Sequence, residues 1–200
     1  MFEEIYRESR QRTAGLAMGL TPPDLALTVP ACPEWTVHRL VAHLAGVVAD
    51  ARAGRMDGAP GPEWTARHVS EREDVPVLDL LEQWNADADR LDRVPSHMAL
   101  DALTHEADLR AVLGRERVPD HAWQATLTAI VTHNLTDLTV KTEFGSLGTG
   151  PVVVEADGYE FWRAFFGRRS RAQMESWSWS EPYPVDEMTF FPPRATDLEE

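Results

Sequence analysis

Apolar residues recur at helical spacing in five stretches of this 200-residue chain, with turn-forming residues between them. The first predicted helix runs from about Phe2 to Met18. Gly19 and the pair Pro22–Pro23 end it, because proline lacks the N–H that helix continuation needs. The rigid segment VPACPEW leads to Thr36, an N-cap for a helix over Val37–Ala53 that stops before Gly54. Its apolar stripe is Val37, Leu40, Val41, Leu44, Val47 and Val48. Residues 54–75 are rich in glycine, proline and charge, and read as a loop able to cover a site. A third helix, Val77–Arg93, carries Leu80, Leu81, Trp84 and Leu91 and breaks at Pro95. Ser96 caps a fourth, which reaches Leu113 and closes at Gly114, and a fifth spans His121–Val140.

After GSLGTGP the pattern changes. Val152–Glu155 predicts a short strand, Asp157 with Glu160 a capping box for the helix EFWRAFFG, and Gln173–Ser180 alternates like a second strand. The tail from Glu181 is irregular, and no internal repeat is present. The expected fold is mainly α: a four-helix bundle over residues 1–140, followed by a small α+β extension over 141–200 packed on it.

Composition narrows the function classes. A net charge of −14 argues against nucleic acid or an anionic membrane as the main partner, since phosphate binding requires clustered Lys and Arg. The one basic cluster, GRRSR at 167–171, is too short to reverse this. No apolar run approaches the roughly 20 residues of a membrane span, and the acidic start MFEEIYRESR lacks a signal-peptide pattern. Cys32 is the single cysteine, which excludes an intrachain disulfide or a Cys-based zinc cluster. These features predict a soluble cytoplasmic protein, monomeric or homodimeric. Of 19 Lys and Arg residues only Lys141 is lysine, a coding bias of GC-rich genomes such as those of actinobacteria.

The chemistry concentrates on the fourth helix. Asp101 and His105 lie one turn apart, about 40° around the helix axis. Met98, Leu109 and Val112 share that arc, so both polar groups face apolar surface, where an unpaired carboxylate is costly and metal coordination is one remedy. His43 is the best third ligand. It lies just outside the Leu40/Val47 edge of its stripe, His38 lies outside the opposite edge, and periodicity alone does not choose between them. His43, Asp101 and His105 together read as a 2-His-1-carboxylate metal site. His97, two turns before His105, is a rival ligand, and His133 with Asp137 reads as a structural pair.

Three segments, CPEWTVHRLVAHLAG, DALTHEADLRAVLG and YEFWRAFFGRRSRAQ, resemble the mycothiol-dependent maleylpyruvate isomerase family, part of the DinB-like superfamily of metal-binding four-helix bundles. The likeness extends over most of the chain and is strongest at residues 31–46 and 100–114. It implies a DinB-like bundle and a zinc ion held by His43, Asp101 and His105. The family usually carries Glu at the position of Asp101, a side chain one methylene longer. Asp108 resembles a recurrent family Asp and would orient a ligand by hydrogen bonding rather than touch the metal. The family enzyme also has a larger C-terminal domain with a functional Arg. Arg168 or Arg169, in a region that reads as abbreviated, is the nearest counterpart here, and with Arg171 would bind the carboxylates of thiol or substrate.

Two histidines and one carboxylate leave a zinc position open, the pattern of catalytic zinc, although the same ligands can hold Fe2+ or another divalent metal. A thiol entering that position is deprotonated, so the protein needs no nucleophilic cysteine of its own. The resemblance therefore implies a thiol-dependent metalloenzyme with mycothiol as co-substrate. It would act on a small electrophile as an S-transferase or a maleylpyruvate-type isomerase, with no catalytic residue assigned beyond the thiolate. A non-catalytic metal-binding regulatory or interaction module on the same bundle is the competing expectation, and a thiol-independent metal hydrolase a third.

Overall fold

The first predicted helix forms as α1 (Phe2–Ala17). Pro22 and Pro23 then do more than end it: with Thr21 as cap they open a short helix, α2 (Pro22–Leu25). Proline at the first helical positions loses nothing, since those N–H groups have no partner within the helix. The VPACPEW segment folds as a two-stranded hairpin, β1 (Thr28–Val29) and β2 (Cys32–Thr36). Thr36 caps α3 (Val37–Ala53) by accepting from the Arg39 N–H, and Gly54 ends it with a left-handed φ of 70°. The expected loop over 54–75 contains a helix, α4 (Pro62–Ser70), whose buried residues are Trp64 and His68. Next come α5 (Val77–Ala88), shorter than predicted because the chain turns at Asp89, and α6 (Ser96–Val112).

The structure, a computed structural model, describes residues 1–200 and divides into two units, Met1–Arg117 and Val118–Glu200. The first is a bundle of the four long helices α1, α3, α5 and α6, in which α1 packs on α6 and α3 on α4, α5 and α6. Every member of the predicted α3 stripe is at most 5% exposed. Each such aliphatic side chain contributes about 1.5–3 kcal/mol on burial, so this stripe is a main source of the unit's stability. Trp84 Nε1 donates to the Tyr6 hydroxyl at 2.9 Å, joining α5 to α1. Glu106, fully buried, accepts from Arg12 at 2.8 and 2.9 Å and from Arg110 at 2.8 Å, joining α1 to α6.

The second unit begins ahead of the boundary expected at residue 140. Helix α7 (Asp120–Asn134) belongs to it, because Trp123 packs edge-on against Phe144 and Tyr159 at 5.4 and 5.6 Å. The fifth predicted helix ends at Asn134 rather than Val140, and Leu138–Thr142 extends as β3. There Leu138 and Val140 alternate with less buried Thr139 and Lys141, a period-2 pattern that competes with the helical one and wins. The sheet has the order β4 (Gly145–Gly148), β3, β5 (Val152–Glu155), β6 (Ser178–Trp179), with β3 parallel to β5 and the other pairs antiparallel. Asp157 caps α8 (Gly158–Phe165). The predicted strand over Gln173–Ser180 begins inside a helix, α9 (Arg171–Glu175), opened by a Ser170/Gln173 capping box, and only Ser178–Trp179 pairs as β6.

Candidate metal centre

Helices α3 and α6 are buried on almost every side, and their facing positions carry polar groups. His43 comes from α3, and Asp101, His105 and Asp108 from α6. His43 Nε2 lies 3.6 Å from Asp101 Oδ2, and His105 Nε2 lies 3.5 Å from Asp101 Oδ1. One ligand-type atom from each of the three residues falls within 4.8 Å of the others. The imidazoles are 3% and 8% exposed, whereas Asp101 is 30% exposed, so the trio meets solvent on its carboxylate side.

Hydrogen bonding decides what this trio can hold. His105 Nδ1 is 2.9 Å from Asp108 Oδ2, and an ionised carboxylate only accepts, so the Nδ1 proton points at Asp108. The Nε2 lone pair of neutral His105 is then left facing Asp101. Asp101 Oδ2 is buried without a hydrogen-bond partner, 3.6 Å being beyond hydrogen-bonding distance. Acceptors thus face acceptors, which is favourable only when a cation sits among them. Burial alone would raise Asp101, but the adjacent His105 holds its carboxyl well below the usual range. Burial would lower His105, yet Asp101 and Asp108 keep it well above the usual imidazole value. The residues also fit a divalent metal: donor atoms sharing one ion at about 2.0–2.2 Å stand roughly 3.3–3.5 Å apart, close to the spacing found. The shorter Asp101 still brings an oxygen near each imidazole.

Two residues that sequence reasoning left aside frame the trio. Trp35, from β2, lies over both imidazoles with ring centroids 4.7 Å from His43 and 5.6 Å from His105. His68, from α4, is fully buried, with Nδ1 3.3 Å from His43 Nδ1 and Nε2 3.0 Å from Asp50 Oδ2. Asp50 is itself fully buried and paired with Arg67 and Arg55. Burial alone would raise its carboxyl, but hydrogen bonds from His68 and Arg67 and the charge of Arg55 hold it low. Burial pushes His68 down to about 4, which keeps that ring neutral. The signal for α4 was available: Pro62 suits a first helical position, and Trp64 and His68 stand four apart on one face.

The remaining predicted residues are placed as follows. His38 Nε2 bonds the Val75 carbonyl at 2.8 Å, and His97 and His133 are exposed. Asp137 accepts from the Tyr183 hydroxyl at 2.9 Å. Cys32 Sγ is 3.8 Å from Asp108 Oδ2, beside the His105 contact. Arg168 and Arg169 lie in the second unit, 7% and 1% exposed. Arg168 donates to the Phe166 carbonyl, and Arg169 binds Glu160 and Glu200. Arg171 pairs with Asp186 at the surface.

The comparisons agree with this architecture. Two crystal structures of mycothiol-dependent maleylpyruvate isomerase, one of them a point mutant, superpose with a TM-score of 0.53 each, at 13% and 12% identity. The match covers 96% of this chain and 95% of theirs. A search of curated proteins finds no match. No helix is long and apolar enough to cross a membrane. The family description "mycothiol maleylpyruvate isomerase N-terminal domain" matches residues 6–133, which contain all of α3, α4 and α6, and the chain belongs to that family.

Proposed function

We propose that this protein is a metal-dependent enzyme that uses a low-molecular-weight thiol of the mycothiol class, as an S-transferase or a maleylpyruvate-type isomerase on small electrophiles. The observation that carries this reading is the convergence of His43, Asp101 and His105 donor atoms with a buried Asp101 oxygen that no donor satisfies. The family and the solved relatives, whose names state mycothiol dependence, supply the thiol and the reaction class.

His43 and His105 would hold the ion, zinc being the first choice for such a set, with Asp101 as third ligand. A divalent ion there would supply Lewis acidity, the property that lowers the pKa of a thiol. Asp108 fixes the His105 ring, and Trp35 covers both imidazoles and keeps water from that side. Entry is from the Asp101 side, where the trio is exposed. Arg168 and Arg169, which already donate to the Phe166 carbonyl and to Glu160 and Glu200, would be the residues to bind a carboxylate of thiol or substrate. The non-catalytic module would want a fourth protein ligand, and neither His97 nor His133 is buried to provide one.

Elemental mass spectrometry of the wild type and His105→Ala tests the metal. About one zinc per chain, lost in the variant, is expected. Calorimetry with a mycothiol-type thiol should then show binding only to the metal-loaded protein. A wild type that takes up no zinc, iron or other divalent metal would remove the basis of the proposal, and thiol-independent ester cleavage would favour the hydrolase.

A further inference from the structure

The chain spends four buried groups on one side of His43 that ligation alone does not require. Asp50 and His43 lie on α3, seven positions apart, and His68 is inserted between them from α4. Insertion is possible because α3 carries Gly46 at the point of crossing. A Cβ there would lie closer than 3.0 Å to Cβ, Cγ and Cδ2 of His68. Glycine inside a helix costs about 0.5–1 kcal/mol relative to alanine, so its presence at the contact is explained by the ring it admits. Trp64, one turn before His68 on α4, packs edge-on against the same ring with centroids 4.1 Å apart.

Following protons along this line leaves one arrangement. Asp50 is ionised and held by Arg55 and Arg67, and a carboxylate offers no proton. His68 Nε2, 3.0 Å away, must therefore donate to it. The neutral His68 ring then presents a lone pair at Nδ1, and His43 Nδ1, 3.3 Å from it, must carry the proton between them. With the proton on Nδ1, neutral His43 has its lone pair on Nε2, the atom that faces Asp101.

We infer that His68, seated against Gly46 and anchored by Asp50, is a positioning residue that locks His43 in its Nδ1–H tautomer and so presents Nε2 to a divalent cation. The unit is a carboxylate–imidazole–imidazole chain that mirrors, on α3 and α4, what Asp108 does for His105 within α6. Each histidine thereby has Nδ1 tied to a protein partner and Nε2 turned toward Asp101. The consequence for affinity rests on the metal reading above; the tautomer does not.

Two measurements separate these. On the metal-free full-length protein, long-range proton–nitrogen correlation of the histidine rings should show His43 protonated at Nδ1, with a coupling across the hydrogen bond to His68 Nδ1. In His68→Phe, which keeps a ring but neither nitrogen, His43 should become a mixture of tautomers. His68→Gln, whose amide can accept from His43 and donate to Asp50, should restore the Nδ1–H form. Zinc affinity by chelator competition should fall about 10–100-fold in His68→Phe and recover to within a few-fold in His68→Gln. A wild-type His43 protonated at Nε2, or a Gln variant as impaired as a folded Phe variant, overturns the inference. The wild-type spectrum decides the tautomer even if the Phe variant does not fold. A wild type with the predicted tautomer that binds no metal would sink the proposed function and leave this arrangement standing.

Discussion

Two buried polar clusters in this protein are built on opposite terms. In the second unit, Arg163 and Arg169 are at most 1% exposed, and each meets carboxylates: Arg163 binds Glu200 at 2.5 and 2.7 Å, and Arg169 binds Glu160 and Glu200. In the first unit, His43, Asp101 and His105 bring acceptors together and leave a buried Asp101 oxygen without a donor. A satisfied charge cluster holds its elements in place but does little else. An unsatisfied one costs stability, and such costs concentrate at functional sites. Arg168 and Arg169, singled out from the sequence as anion-binding candidates, are bonded to protein groups, whereas the trio brings three metal-ligand side chains together.

The contrast can be broken most directly at Asp101. Replacing it by alanine should lower zinc affinity on the order of 10³-fold, about 4 kcal/mol, as read by chelator competition. The metal-free protein should unfold in urea within about 1 kcal/mol of wild type, since surface-accessible functional residues contribute little to the fold. A large loss of stability in the metal-free variant would show that the trio is structural after all. Arg163→Met tests the other cluster: it leaves Glu200 with fewer partners and should cost about 3 kcal/mol in urea denaturation, with zinc content unchanged. Loss of zinc in that variant would mean the two clusters are not separable.

Gly46→Ala should be intermediate. The added methyl group must push against His68, a clash worth about 1–3 kcal/mol of stability that thermal unfolding would detect, and metal affinity should weaken with it. A more stable Gly46→Ala protein would imply that α4 moves away at no cost. The smallest effect is expected for Asp101→Glu. Zinc affinity should change by less than tenfold, under about 1.4 kcal/mol, because carboxylate chemistry is kept and the exposed side can accept one methylene. A larger loss would show that the spacing is tuned to aspartate.

Much of the first unit was legible in the chain. Thr36 and Gly54 bracket α3 as their cap chemistry requires, and the six-residue stripe is the buried one. Asp101 and His105 are juxtaposed by helical spacing alone, and His43 joins them because α3 and α6 are core neighbours. The errors have a common cause. Residues 135–140 fit helix and strand patterns alike, and pairing of β3 with β4 and β5 settled the matter. The Gly- and Pro-rich composition of 54–75 hid α4, whose short helix is stabilised by packing on α3 rather than by propensity.

By itself, then, the sequence determined the helices whose caps and apolar periods are local properties, the lack of any intrachain disulfide, and the i,i+4 pairing of Asp101 with His105. Tertiary structure alone decided which histidine faces that pair, which arginines are already paired, and that His68 stands between Asp50 and His43. These depend on contacts between residues far apart in the chain. His68 reaches His43 across 25 positions, and only the packing of α4 against Gly46 brings the two ring nitrogens within hydrogen-bonding distance.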